Sequence, residues 1–234
     1  MCGYRRDRRK VMRRTLKTLL LMLAVAITLM SGSLPDWDAL MLKAGMVKVT
    51  DLCDSFVVDL RYAGTRNFVG KNMYGSFNGV YLHPDAAKSL IDAQKALKKI
   101  DANYSIIIYD AARPRSVQRT MWNAVKGTSD AQYVARPERG GCHNYGVAVD
   151  VGLAYAGKPV DMGSGFDDFT EKAHITAEET LVKQGKISRE ALKNRRLLRR
   201  VMTEAGYKTY RREWWHFERY RVKYARAHLK LLDF

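Results

Sequence analysis

The stretch "GGCHNYGVAVDVG", Gly140 to Gly152, restricts the fold more than any other part of the chain. A histidine and an aspartate stand seven positions apart, with Gly146 between them. On a helix that spacing would align the pair, but "NYG" and the β-branched run after it disfavour a helix. The stretch instead predicts a turn at Asn144 to Gly146 that feeds a strand. Ala148 and Asp150 then share one face, while Val147, Val149 and Val151 point the other way, into the core. A carboxylate set among valines is costly to bury unless it meets a cation. That cation is either an arginine in a structural ion pair or a metal held jointly with His143.

A second stretch, "EWWHFE" from Glu213 to Glu218, bears on that choice. Catalytic zinc usually takes three protein ligands, often His and carboxylate, and keeps a fourth position for water. A carboxylate nearby that is not a ligand serves as general base on that water. His143, Asp150 and His216 are a ligand set of this kind, and Glu213, three residues before His216, is such a base. The plainer alternative is a tryptophan-rich core strand with Glu213 salt-bridged at its edge. His83, before Pro84 at a helix start, and His228, in a basic tail, read as ordinary surface histidines.

The remaining patterns predict one α+β domain over residues 34–234, a mainly antiparallel sheet with helices on one side. "MVKVTDLCDSFVVDL" alternates like short strands, and Tyr62 to Gly79 reads as a long ordered loop. Pro84 opens a helix to about Lys99, "SIIIYD" is a buried strand ending in Asp110, and Pro114 starts a helix to about Val125. Thr176 and Glu179 have capping-box spacing for a short helix. A longer helix follows from Ser188 to Ala205, with Gly206 at its end. "EWWHFERY" completes the sheet as a strand.

The chain has 234 residues and a formal charge of +17. Residues 1–17 carry +7 of that, ahead of the apolar run Leu19 to Met30 and then "SGSLPDW". This order reads as an export signal over 1–33 with cleavage after Ser33, placing the mature protein in the periplasm or cell envelope. A retained membrane anchor is the alternative, and Met12 is a second candidate start. Much of the other charge lies between Arg189 and Lys230. "REALKNRRLLRR" has the spacing of an amphipathic helix with a solvated basic face, so nucleic acid is not expected as a partner. Cys53 and Cys142 are available for a disulfide in an oxidising compartment, and Cys2 would leave with the signal.

"HNYGVAVD" followed far downstream by "EWWH" resembles the D-alanyl-D-alanine dipeptidases, zinc enzymes grouped with D-Ala carboxypeptidases and the Hedgehog signalling domain. That group's pattern is Ser-x-His-x-x-Gly-x-Ala-x-Asp and Glu-x-x-His, matched at His143, Gly146, Ala148, Asp150, Glu213 and His216. "DAARPRSVQ", "VDMGSGFDDF" and "LRYAGTRNFVGK" resemble further family segments, so the likeness spans roughly residues 46–220. The resemblance implies a Hedgehog/DD-peptidase-like fold with one zinc ion per chain on His143, Asp150 and His216. It implies Glu213 as the base, Arg113 on the developing oxyanion, and Asp167 on the free ammonium of a D-amino-acid dipeptide. Tyr62 and Asp110 join the substrate pocket, and Asp168 is a neighbour that competes with Asp167 on spacing alone. The chain departs from the pattern at Gly141, which stands where the family has a serine beside the substrate's C-terminal side. The implied reaction is hydrolysis of D-Ala-D-Ala released in peptidoglycan turnover. The rivals are a carboxypeptidase or endopeptidase acting on peptidoglycan stem fragments, a non-catalytic zinc-stabilised binding domain, and a basic surface binder.

Overall fold

The consecutive isoleucines Ile106–Ile108 on one strand and the alternating valines of its neighbour set the centre of the molecule. The strand β4 (Tyr104–Asp110) and the strand β5 (Ala148–Tyr155) are buried on both faces along nearly their whole length. The computed structural model describes residues 36–234, so the segment read as an export signal and Cys2 lie outside the described residues. Trp37–Phe234 form one compact unit. Among the described residues no helix is long and apolar enough to cross a membrane.

β4 and β5 pair antiparallel, and β5 pairs antiparallel with β8 (Glu213–Glu218) on its other side. β8 continues to β7 (Lys208–Tyr210), also antiparallel, and β2 (Val57–Val58) adds to β4 in parallel. The sheet order is therefore β2-β4-β5-β8-β7, with the short β6 (Lys158–Pro159) on the end of β5. β1 (Val47–Lys48) and β3 (Tyr81–Leu82) form a separate two-stranded ladder. The expected alternation in this N-terminal region is cut to two-residue strands, because Val49–Leu52 turn into a single helical turn, α2, after the first helix α1 (Trp37–Lys43).

Helix α3 (Pro84–Ile100) begins at a proline, whose fixed φ suits the first turn, with His83 Nδ1 accepting from the Asp85 N–H at 3.3 Å. Its Ala86, Leu90, Ala93 and Leu97 recur at helical spacing and meet Leu198, Val201 and Met202 of α6 (Arg189–Glu204). Both helices pack with Val149, Val151 and Leu153 of β5 in the main core. Gly152 is required there, since a Cβ would come within 2.6 Å of the Tyr109 hydroxyl lying over it. Helix α4 (Arg115–Val125) does not join that layer. Its Val117, Met121 and Val125 close a second cluster with Tyr62, Tyr74, Phe77 and Leu232.

Two further expectations give way. The short helix α5 (Glu178–Lys183) has Ala177 at its N-cap with no side-chain cap bond, so Thr176 and Glu179 form no capping box. Arginines of α6 take the acidic side chains instead: Arg199 holds Glu178 at 2.7 Å and Arg196 holds Glu179 at 2.6 Å. Nor is the basic run of α6 merely a solvated face. Arg195 is 2 % exposed and donates to the carbonyls of Met162 (2.6 Å) and Lys172 (2.8 Å), fixing the loop between β6 and α5. Cys53 and Cys142 are free thiols rather than a disulfide. They sit in different apolar clusters, with Cys53 against Ser55 Oγ (3.3 Å) and Cys142 against the Tyr220 carbonyl (3.5 Å).

Candidate metal centre and its cavity

The sheet register assembles the centre. Asp150 faces His216 directly across β5 and β8, and Asp110 faces Asp150 across β4 and β5. A register shift between Ile108 and Asp110 re-aims the end of β4. His143 arrives from the turn before β5. Cys142–Tyr145 form one 3-10 turn that ends at Gly146, whose φ of 67° is left-handed and suits glycine.

Each ring nitrogen has a definite task. His143 Nδ1 donates to the Ala111 carbonyl at 2.7 Å, which leaves Nε2 as the free lone pair. His143 Nε2 lies 3.3 Å from Asp150 Oδ1 and 3.2 Å from His216 Nδ1, and the last two atoms are 2.9 Å apart. One ligand atom from each residue thus falls within 4.8 Å of the others. Two imidazole nitrogens and a carboxylate oxygen, all three residues largely buried, match the donor set of a catalytic zinc site with an open fourth position. Glu213 Oε2 stands 4.0 Å from His216 Nδ1, close to the centre without joining the ligand set.

Electrostatics follow from burial and partners. Burial resists ionisation of Asp150, yet contact with His143 and His216 holds its carboxyl far below the usual range. Burial also works against charge on His216, but hydrogen bonds to Asp150 and Glu218 outweigh it and raise the imidazole to about 10. For Glu213 burial dominates and pushes the carboxyl up to about 8. A carboxyl that exchanges its proton near neutral pH is suited to acid–base work.

Arg113 follows β4 and precedes α4. Its Nε and Nη2 both donate to Asp110 Oδ2, at 2.9 and 2.6 Å, and Nη1 donates to Gln118 at 3.0 Å. The guanidinium lies over the Tyr62 ring at 5.0 Å and 3.8 Å from Asp150 Oδ2. Asp110, expected in the substrate pocket, is 0 % exposed and sits behind the wall, bonded to Arg113 and to the Tyr74 hydroxyl at 2.7 Å. Asp167 does reach the cavity. It accepts from the Tyr62 hydroxyl (2.9 Å) and the Phe68 N–H (3.1 Å), and burial raises its carboxyl to about 7. Asp168 instead caps Thr170 N at 3.0 Å and does not line the cavity.

The cavity holds about 280 Å³. Tyr62, Arg113, His143, Asp150, Asp167, Glu213 and His216 all line it, so the sequence-predicted residues other than Asp110 share one cavity. Phe68, Tyr133 and Phe169 add an aromatic rim, Phe169 stacking on Tyr133 at 4.7 Å. Sequence reasoning missed Glu218, whose Oε1 faces His216 Nε2 at 3.5 Å while Oε2 takes Arg221 at 3.0 Å. The signal was present, since residues two apart on a strand share a face. At Gly141 the N–H donates to Asn144 Oδ1 (2.8 Å), and a Cβ there would stand 3.0 Å from that of Ala135.

Comparison with known proteins agrees with this geometry. A family model described as D-ala-D-ala dipeptidase matches residues 42–233. The D-alanyl-D-alanine dipeptidase of Escherichia coli (strain K12) is 34% identical over 184 residues, covering 74% of this chain and 86% of that protein. The D-alanyl-D-alanine dipeptidase of Enterococcus faecium is 32% identical over 177 residues, covering 68% and 83%. Its counterpart from Enterococcus faecalis (strain ATCC 700802 / V583) is 29% identical over 178 residues, covering 68% and 84%.

Proposed function

The chain belongs to the D-ala-D-ala dipeptidase family, and on that footing we propose that it is a metallopeptidase hydrolysing free D-Ala-D-Ala to two molecules of D-alanine. The observation that carries this reading is the convergence of His143, Asp150 and His216 beside Glu213 in a cavity that also contains Asp167. The donor set favours zinc, which His143, Asp150 and His216 would hold. When bound, such an ion would supply polarisation of the scissile carbonyl and a lowered pKa for the attacking water.

The chain's own residues account for the rest. Glu213 removes a proton from the attacking water and delivers it to the leaving amine nitrogen as the C–N bond breaks. Arg113, permanently charged and held in place by Asp110 and Gln118, faces the negative charge that develops on the carbonyl oxygen. Asp167 receives the substrate's free ammonium, with Tyr62 and Phe68 holding its carboxylate in position. A substrate whose amino group is acylated leaves that carboxylate buried and unpaired, which is a large penalty. This selects free dipeptides over intact stem peptides, and D-Ala-D-Ala released in peptidoglycan turnover fits. The basic, then apolar, N-terminus supports export to the periplasm or cell envelope, which N-terminal sequencing of the mature protein from a cell fraction tests.

Zinc-loaded protein assayed against D-Ala-D-Ala, L-Ala-L-Ala and a stem pentapeptide, with and without chelator, tests the reading. Chelator-sensitive hydrolysis confined to the D,D dipeptide is the expected result. Release of D-alanine from the pentapeptide with the dipeptide left intact would favour the carboxypeptidase alternative.

A further inference from the structure

One cation on the cavity wall has no part in the steps above. Arg226 lies on the helix α7 (Val222–His228) and lines the cavity beside Gly141 and Cys142. Arg226 is exposed; its Nη2 donates to the Gly140 carbonyl at 2.7 Å and its Nε to the Arg139 carbonyl at 3.2 Å, so two backbone carbonyls anchor the guanidinium. Among the described residues it forms no ion pair, and no hydrogen bond is made by Nη1.

The cavity's other arginine is differently placed. Arg113 has all three nitrogens engaged by Asp110 and Gln118, and it lies over Tyr62, the residue that donates to Asp167. Asp167 is held by the Tyr62 hydroxyl and the Phe68 N–H, whereas Arg226 is held by the Arg139 and Gly140 carbonyls, next to Gly141 and Cys142 in the chain. No partner is shared, so the lining has an Asp167 end, at Tyr62 and Phe68, and an Arg226 end, at Gly141 and Cys142. Glu218 also lines the Arg226 end, but its two oxygens already face His216 and Arg221. The net unpaired charge offered to a ligand there is positive. No side chain at Gly141 fills the space beside it.

We propose that Arg226 receives the C-terminal carboxylate of the dipeptide, so that the cavity reads both ends of a zwitterion. This rests on the dipeptidase reading. A guanidinium presents N–H donors in a fork that matches a carboxylate, and Arg226 supplies the polar contact that Gly141 does not. Together with Asp167 it confines the enzyme to substrates bearing a free terminus at each end. An acylated amine is refused at one end and an amidated carboxyl at the other.

The test compares kcat/KM for D-Ala-D-Ala with that for D-alanyl-D-alaninamide in the native enzyme, Arg226→Met and Arg226→Lys. The native enzyme is expected to prefer the acid at least about tenfold, since the amide leaves the guanidinium without its anion. Arg226→Met reduces that preference to within about threefold, through KM for the acid, and Arg226→Lys keeps part of it. A preference undiminished in Arg226→Met, or none in the native enzyme, overturns the proposal while leaving D-Ala-D-Ala hydrolysis in place. If Arg226→Met displaces the Arg139–Gly140 carbonyls and turns over neither substrate, Arg226→Lys decides: a surviving preference supports the role and an abolished one overturns it. A native enzyme that cleaves neither substrate contradicts the dipeptidase reading instead.

Discussion

Asp167 combines two features that each carry a cost with contacts that offset them. Its φ of 61° lies in the left-handed region, burial raises its carboxyl to about 7, and two donors still hold it in the ionised geometry. Strain and desolvation concentrated on one side chain are typical of a site built for a ligand. Its ionised form is the one that pairs with an ammonium, so kcat/KM for the dipeptide should fall as pH drops through about 7. Stability runs the opposite way. In the unfolded chain the carboxyl titrates near ~4, so between there and about 7 the folded state holds the extra proton and stability declines as pH rises. Asp167→Asn, which tolerates the same φ, should flatten that decline and raise Tm at pH 8 by a few degrees, on the order of 2–4 °C per kcal/mol recovered. It should also lose most dipeptide turnover. Thermal melts at pH 5 and pH 8 with parallel kinetics check this, and equal pH slopes for the two proteins would remove Asp167 as the titrating group.

At the scale of elements, the centre depends on one turn and on the register of three strands. The Gly146 carbonyl accepts from His83 N at 2.8 Å, and a Cβ on Gly146 would stand 2.4 Å from Met46 Sδ and 3.0 Å from that same backbone nitrogen. Methionine can yield, but the backbone of the β3–α3 junction cannot. Gly146→Ala should therefore cost roughly 2–4 kcal/mol in urea unfolding, left-handed strain and overpacking together. Gly157, at φ 77° with open space around it, gives the control, where alanine should cost about 1 kcal/mol. Equal costs at the two positions would mean that the turn is not locked by its surroundings. The elements were legible where pattern and backbone chemistry coincided: the Gly146 turn, the Asp150 strand and the Glu213–His216 strand all lie at their expected places. They were not legible where tertiary partners override local preference. Glu179 is taken by an arginine of α6 rather than by a cap, and Arg195 leaves the basic face to bind the carbonyls of the Asp167 loop. Asp110 is the same lesson at the site, since its motif does not reveal that Arg113 and Tyr74 hold it behind the wall.

For the whole molecule, the two apolar clusters divide the work. The core under α3 and α6 fixes the central strands, and the cluster of α4 with Tyr62 and Tyr74 fixes the loop that carries the Asp167 contacts. The cavity is lined by residues of both clusters and of the sheet end, so the candidate metal ligands, Glu213 and Asp167 are positioned by separate supports on one scaffold. The dipeptidase reading requires Glu213 to act on protons while His143, Asp150 and His216 hold the metal. The direct measurement is kcat for D-Ala-D-Ala by Glu213→Gln together with the metal content of the same sample. General-base removal should lower kcat by about 10²–10⁴-fold with close to one metal ion retained per chain. Activity within a few-fold of the native enzyme at full metal occupancy would contradict it.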